Sequence, residues 1–185
     1  MGLTWKKLKI KRGVIKMRII EKRVYNLDEL EKSVQEKVMA EIKQLIKDDY
    51  CEYYLEDDLN LMAEDLLKEY FGDKAKLNKV HYDLSFCQGS GCMIDFDLET
   101  KNETIKIRHD NGCHYMHERS FKIIYDDEKT ENIIEKLENK IVEMNKKLKD
   151  YGEDMILCEP TDDEAIEMIK ANNYEYYSNG QLYAG

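Results

Sequence analysis

Four short segments between Val80 and Tyr125 alternate apolar and polar residues, and this constrains the fold more than any other feature of the chain. Val80, Tyr82, Leu84 and Phe86 alternate with His81, Asp83, Ser85 and Cys87. Ile94, Phe96 and Leu98 alternate with Asp95 and Asp97, and Ile105 and Ile107 with Thr104, Lys106 and Arg108. Phe121, Ile123 and Tyr125 alternate with Lys122 and Ile124. A period of two sends successive side chains to opposite faces of a strand. The expectation is a four-stranded antiparallel meander with one apolar face, turning at about 88–91, 99–103 and 110–118.

Such a face needs a cover, and the flanking sequence has helical spacing. A strand is expected over residues 18–25. Asn26 followed by Glu29 is a capping-box pair. Leu30, Val34, Val38, Ile42, Leu45 and Ile46 then form the stripe of a helix to about residue 49. Leu55, Leu59, Met62, Leu66 and Tyr70 mark a second helix over about 54–71, which Gly72 can close. Ile133, Leu137, Ile141, Met144 and Leu148 mark a third over about 130–150. Thr161 and Glu164 cap a short fourth helix to about residue 171, and Asn179-Gly180 turns a small C-terminal hairpin. The predicted architecture is α+β in two layers, with amphipathic helices covering one face of the meander.

With 185 residues and a single proline, one domain without a flexible linker is expected. The chain has 39 acidic and 29 basic side chains, a formal charge of −10. Residues 1–16 hold six of the basic ones and no acid, so the remainder carries −16 (23 against 39). A body this acidic repels phosphate backbones and suits a basic protein surface. Direct nucleic-acid binding is therefore expected only through residues 1–16. Met17-Arg18-Ile19-Ile20-Glu21 has the character of a chain start running into a strand, so residues 1–16 are expected to be a basic extension and 17–185 the domain. No apolar run reaches the ~20 residues of a membrane span, and no signal-peptide pattern is present. Five cysteines, an odd number, suit free thiols in a reducing cytoplasm.

The unusual chemistry is concentrated in two places. Gln88-Gly89-Ser90-Gly91 is flanked by Cys87 and Cys92, and residues 109–117 hold His109, Cys113, His114, Tyr115 and His117. Antiparallel topology returns the third turn to the end where the first one lies, so both segments are expected at one end of the sheet. Cys87, Cys92, His109 and Cys113 have ligand types suited to zinc, though their spacing is looser than that of common sites. Packing of the thiols as small hydrophobes is the competing explanation. The turn lacks the lysine of a P-loop and joins two strands, so its glycines are expected to supply positive φ and not a phosphate cradle. Tyr50, Tyr53, Tyr54, Tyr174, Tyr176, Tyr177 and Tyr183 lie near helix ends and the C-terminal hairpin, where tyrosine among acids suits protein binding.

Three segments together resemble a group of small proteins encoded by phages and mobile elements. They are Val24-Tyr25-Asn26-Leu27-Asp28-Glu29-Leu30, the strand and turn Tyr82 to Gly91, where the family pattern reads YSLSYCQGDG, and the His109–His117 segment with the Ala171 to Tyr176 ending. Ser90 departs from the aspartate of that pattern, and Cys92 and Cys113 fall outside it. The resemblance implies a part in the contest between phage and host. The leading expectation is a non-enzymatic, acidic, cytoplasmic factor that inhibits a bacterial defence protein, as an anti-CRISPR does. Its expected contact residues are Gln88, Gly89, Ser90, Gly91, His109, His114, Tyr115 and His117. No cofactor is expected beyond the zinc option at Cys87, Cys92, His109 and Cys113. The alternative is a small metal-binding or thiol-dependent enzyme centred on the same two segments.

Overall fold

In a computed structural model the helical and strand periodicities resolve, among the described residues, into four α-helices and two antiparallel sheets. It describes residues 7–10, 13–16, 22–110, 112, 116–126 and 131–183, with 7–10, 13–16, 131 and 132 described by backbone alone. β1 (Lys7–Ile10) and β2 (Gly13–Lys16) pair with each other as a two-stranded sheet. Of the strand expected over 18–25, residues 18–21 lie outside the described residues, and Tyr25 makes an isolated bridge to Tyr176.

The chain divides into two compact units, residues 1–44 with 160–185, and residues 45–159. In the first, the Asn26 N–H donates to Glu29 Oε2 at 2.8 Å, as the capping pair predicts. It opens a single 3-10 turn, Leu27–Glu29, and α1 (Lys32–Tyr53) starts only after it. Val38 and Ile42 are buried, whereas Leu45 is exposed, so the expected stripe ends early. α4 (Asp162–Ala171) is capped as predicted: the Glu164 N–H donates to Thr161 Oγ1 at 3.2 Å and the Thr161 N–H to Glu164 Oε2 at 2.7 Å. The C-terminal turn is closed by the Gly180 N–H to Tyr177 O at 2.9 Å, with Gly180 at φ 84°.

The second unit holds the meander. β3 (Ala75–Asp83), β4 (Gly91–Glu99), β5 (Thr104–His109) and β6 (Phe121–Ile124) form an antiparallel sheet in that spatial order. β3 begins five residues before Val80. A bulge between Leu77 and Lys79 shifts the register, so Leu77 faces Phe96 and Val80 faces Ile94. That extra residue breaks the alternation, which is why the period of two becomes visible only from Val80. α2 (Leu55–Phe71) and α3 (Glu131–Leu157) cover the apolar face. Leu59, Leu66, Ile94, Phe96, Ile105, Ile107, Ile141, Met144 and Leu148 form the centre of the core.

α3 runs through Gly152, well past the expected end near residue 150. A Cβ on Gly152 would lie 2.7 Å from Leu84 Cδ1 and 3.0 Å from Leu59 Cδ2. This glycine lets the helix approach the sheet instead of stopping it. Asn145, fully buried on the same helix, accepts from the Ile94 N–H at 3.1 Å and donates to Glu118 O at 3.0 Å. The β4–β5 ladder runs only from Phe96–Ile107 to Glu99–Thr104, and the Asn145 amide satisfies backbone groups beyond its end.

Candidate functional site

The first and third turns meet. The Met116 N–H donates to Gly89 O at 3.0 Å, and Gly91 lies against the Met116 carbonyl, whose oxygen would be 1.6 Å from a Cβ there. Residues 116–120 thus cover the start of β4. This explains why Met93, on the polar parity of the strand, is buried. Gly91 is required for close approach. Neither Gly89 nor Gly91 has positive φ, contrary to expectation; the turn's positive φ belongs to Phe86, at 55°.

Phe86 also departs from its expected place on the apolar face. It is 53% exposed. β3 ends at Asp83, Leu84 is the last residue to reach the core, and the chain then turns. Side-chain bonds hold this turn. The Ser85 N–H donates to Asp83 Oδ1 at 3.0 Å, the Cys87 N–H to Ser90 Oγ at 2.8 Å, and the Ser90 N–H to Cys87 O at 3.0 Å. A bulky residue at positive φ is strained unless its surroundings hold it there.

The two cysteines flanking the turn have opposite character. Cys87 is exposed, with Ser85 Oγ at 3.2 Å, the Gly89 N–H at 3.3 Å and Ser90 Oγ at 3.7 Å from its sulfur. The Ser85 hydroxyl, then the Gly89 N–H and the Ser90 hydroxyl, hold this thiol below its ordinary pKa by hydrogen bonding to the thiolate. Cys92 is buried beside α3, and burial pushes its thiol up to about 12. Alkylation therefore has a clear expected order. Cys87 reacts at neutral pH, Ser85→Ala and Ser90→Ala each move its rate profile to higher pH, and Cys92 stays unmodified until the protein is denatured. Mass spectrometry of iodoacetamide-treated protein across pH 6–9 (about the ordinary thiol range) checks this.

His109 is buried at the end of β5, and its backbone N–H donates to Asp95 Oδ1 at 2.6 Å. Its ring stacks on that of His81, with centroids 5.0 Å apart and planes 27° from parallel. His81 Nε2 is 3.2 Å from Asp95 Oδ2, and neither ring's Nε2 has a hydrogen-bond partner among the described residues. His81, with Glu56, Lys79, Tyr82 and Met116, lines a cavity of about 250 Å³. A second cavity, of about 740 Å³ in the first unit, is lined by Leu27, Asp28, Ile166, Lys170 and Tyr174 and holds none of the turn residues.

Gln88 and His117 are exposed among the expected contact residues, while Gly89, Ser90, Gly91 and His109 are buried; His114 and Tyr115 lie outside the described residues. In the expected zinc set, Cys87 sits in the turn, Cys92 in the core and His109 beside Asp95, and Cys113 lies outside the described residues. No group of three histidine, cysteine, aspartate or glutamate side chains among the described residues is placed to hold a metal ion. Tyr53 and Tyr54, at the corner between α1 and α2, are among the most exposed aromatic residues described. The alternation pattern gives no sign of Phe86's exposure, and His81 escapes notice because it lies outside both cysteine-rich segments. No family model, no curated protein and no solved structure matches this chain.

Proposed function

We propose that the protein is a binding factor that inhibits a bacterial defence protein by direct contact, in the manner of an anti-CRISPR. The observation that carries this reading is Phe86, an aromatic ring held in solvent at positive φ by a hydrogen-bonded turn. A fixed, exposed ring contributes contact area with little ordering cost on binding, the property of an interface anchor. The acidic body supports the same reading, because defence nucleases and their relatives present basic channels to nucleic acid. The resemblance of the 82–91 segment to phage-encoded proteins points to the phage–host setting. Among the described residues no helix is long and apolar enough to cross a membrane.

The test is phage plating on defence-positive and defence-negative cells that express the chain. Plating on defence-positive cells is expected to rise, and Phe86→Ala to remove at least about tenfold of the gain, the weight of one interface anchor. Equal plating with and without the protein, across a panel of defence systems, would refute the proposal.

A second reading rests on Cys87, whose stabilised thiolate is chemically competent as a nucleophile. A thiol-dependent enzyme requires that sulfur. Protection from defence that survives Cys87→Ala and His117→Ala would leave the binding reading alone.

A further inference from the structure

We infer that the end of the second unit formed by the α1–α2 corner and the β3–β4 turn is a docking surface for an arginine-bearing segment of a protein partner. This rests on the binding reading above and adds the chemistry of the partner.

Three aromatic side chains are presented there: Tyr53 is 63% exposed, Tyr54 60% and Phe86 53%. They share one end because α2 and β3 run in opposite directions, joined only by the short turn Gly72–Lys74. The first turn of α2 therefore lies beside the last residues of β3, and Glu56 and Tyr82 line the same cavity. Leu59 of α2 and Leu84, two residues before Phe86, both pack on Gly152.

The chain segments that carry these rings are acidic, and Lys79 is the cation that lines the cavity shared by Glu56 and Tyr82. Residues 48–60 contain six carboxylates and no lysine or arginine, and residues 81–92 contain Asp83 and no lysine or arginine. Glu52, Glu56 and Asp83 take part in none of the ion pairs formed among the described residues. Rings interleaved with carboxylates outside these ion pairs complement a guanidinium, which stacks on an aromatic face and donates two parallel bonds to a carboxylate through its N–H fork. An ammonium makes the charge contact without the planar one. Nucleic acid is repelled by this surface, and a second copy of the same patch would set carboxylate against carboxylate.

The experiment titrates the full chain with a labelled arginine-rich peptide, a lysine-rich peptide of equal length and charge, and single-stranded DNA. Binding of the arginine peptide is expected to be at least about tenfold tighter than that of the lysine peptide. It is expected to weaken about tenfold in Phe86→Ala, in Tyr54→Ala and in the double variant E56Q/D83N. Phe86→Gly, which suits the positive φ, keeps the test readable if the alanine variant unfolds. Equal affinity for the two peptides, or arginine binding unchanged in both Phe86 variants, overturns the inference, as does preferential DNA binding. The same variants plated against phage separate the two proposals. Protection retained without arginine selectivity removes the inferred chemistry alone. Arginine selectivity without protection removes the defence-inhibitor function and leaves the surface.

Discussion

Gly91→Ala is expected to lift residues 116–120 off the sheet at a cost of about 3 kcal/mol. The added Cβ would fall 1.6 Å from the Met116 carbonyl oxygen and 2.6 Å from its carbon. Both are backbone atoms, so no side-chain rotation relieves the clash. The segment has to move, and the Met116 N–H to Gly89 O bond breaks with it. Urea unfolding reads the stability loss through its midpoint. Hydrogen exchange of the Met116 amide reads the local opening, which is expected to exceed any change at the Ile105 and Ile107 amides of β5. A variant with the wild-type midpoint and a protected Met116 amide would mean that residues 116–120 are not docked on Gly91.

Asn145→Leu tests the other junction and carries a similar expected loss, about 3 kcal/mol. Leucine matches the asparagine in shape but leaves the Ile94 N–H and the Glu118 carbonyl without the partners they have at 3.1 and 3.0 Å. Burial keeps water from replacing both bonds, because Asn145 is fully enclosed. Asn145→Asp sharpens the test. An ionised aspartate still accepts from Ile94, but it cannot donate to Glu118 and buries a charge. Protonation restores a donor and removes that charge, so the variant's deficit relative to wild type should shrink as pH falls. The folded-state carboxyl is raised by burial, so the penalty is present at neutral pH and relieved in acid. Thermal denaturation of both proteins at neutral and acidic pH checks the sign. A deficit that grows in acid would contradict the buried role of this side chain.

Much of the fold is legible in the chain because the relevant signals are local. The alternation of Ile94, Phe96, Leu98, Ile105 and Ile107 is visible without knowing what covers them, and all but Leu98 are fully buried. The Thr161–Glu164 cap depends on residues three apart and forms as predicted. Two readings fail where a local signal has more than one physical meaning. The third helix, expected to end near residue 150, runs on to Leu157, and Gly152 is a close-approach point inside it. Phe86 continues an apolar alternation yet follows the end of β3, and its ring goes to solvent.

The candidate site was less legible, because its chemistry depends on distances between segments. Cys87 and Cys92 look equivalent as flanks of one turn. Three hydrogen-bond donors stabilise the thiolate of one, and enclosure by the core suppresses ionisation of the other. The expected contact residues are close in sequence, but Gly89, Ser90, Gly91 and His109 are buried. That leaves Gln88 and His117 exposed there, with the neighbouring aromatic residues providing the surface at this end. His81, Asp95 and His109 come from three different strands and meet only because the register sets them side by side.

By itself the sequence determined the α+β class, the antiparallel order of the meander, the helix faces in its core and the acidic sign of its surface. These follow from period and composition, which are properties of neighbours along the chain. The tertiary structure alone decided which glycines are packing points, which cysteine is ionisable, and which aromatic residues meet solvent. Each of those depends on what a distant segment brings within a few ångströms, and no local pattern encodes that distance.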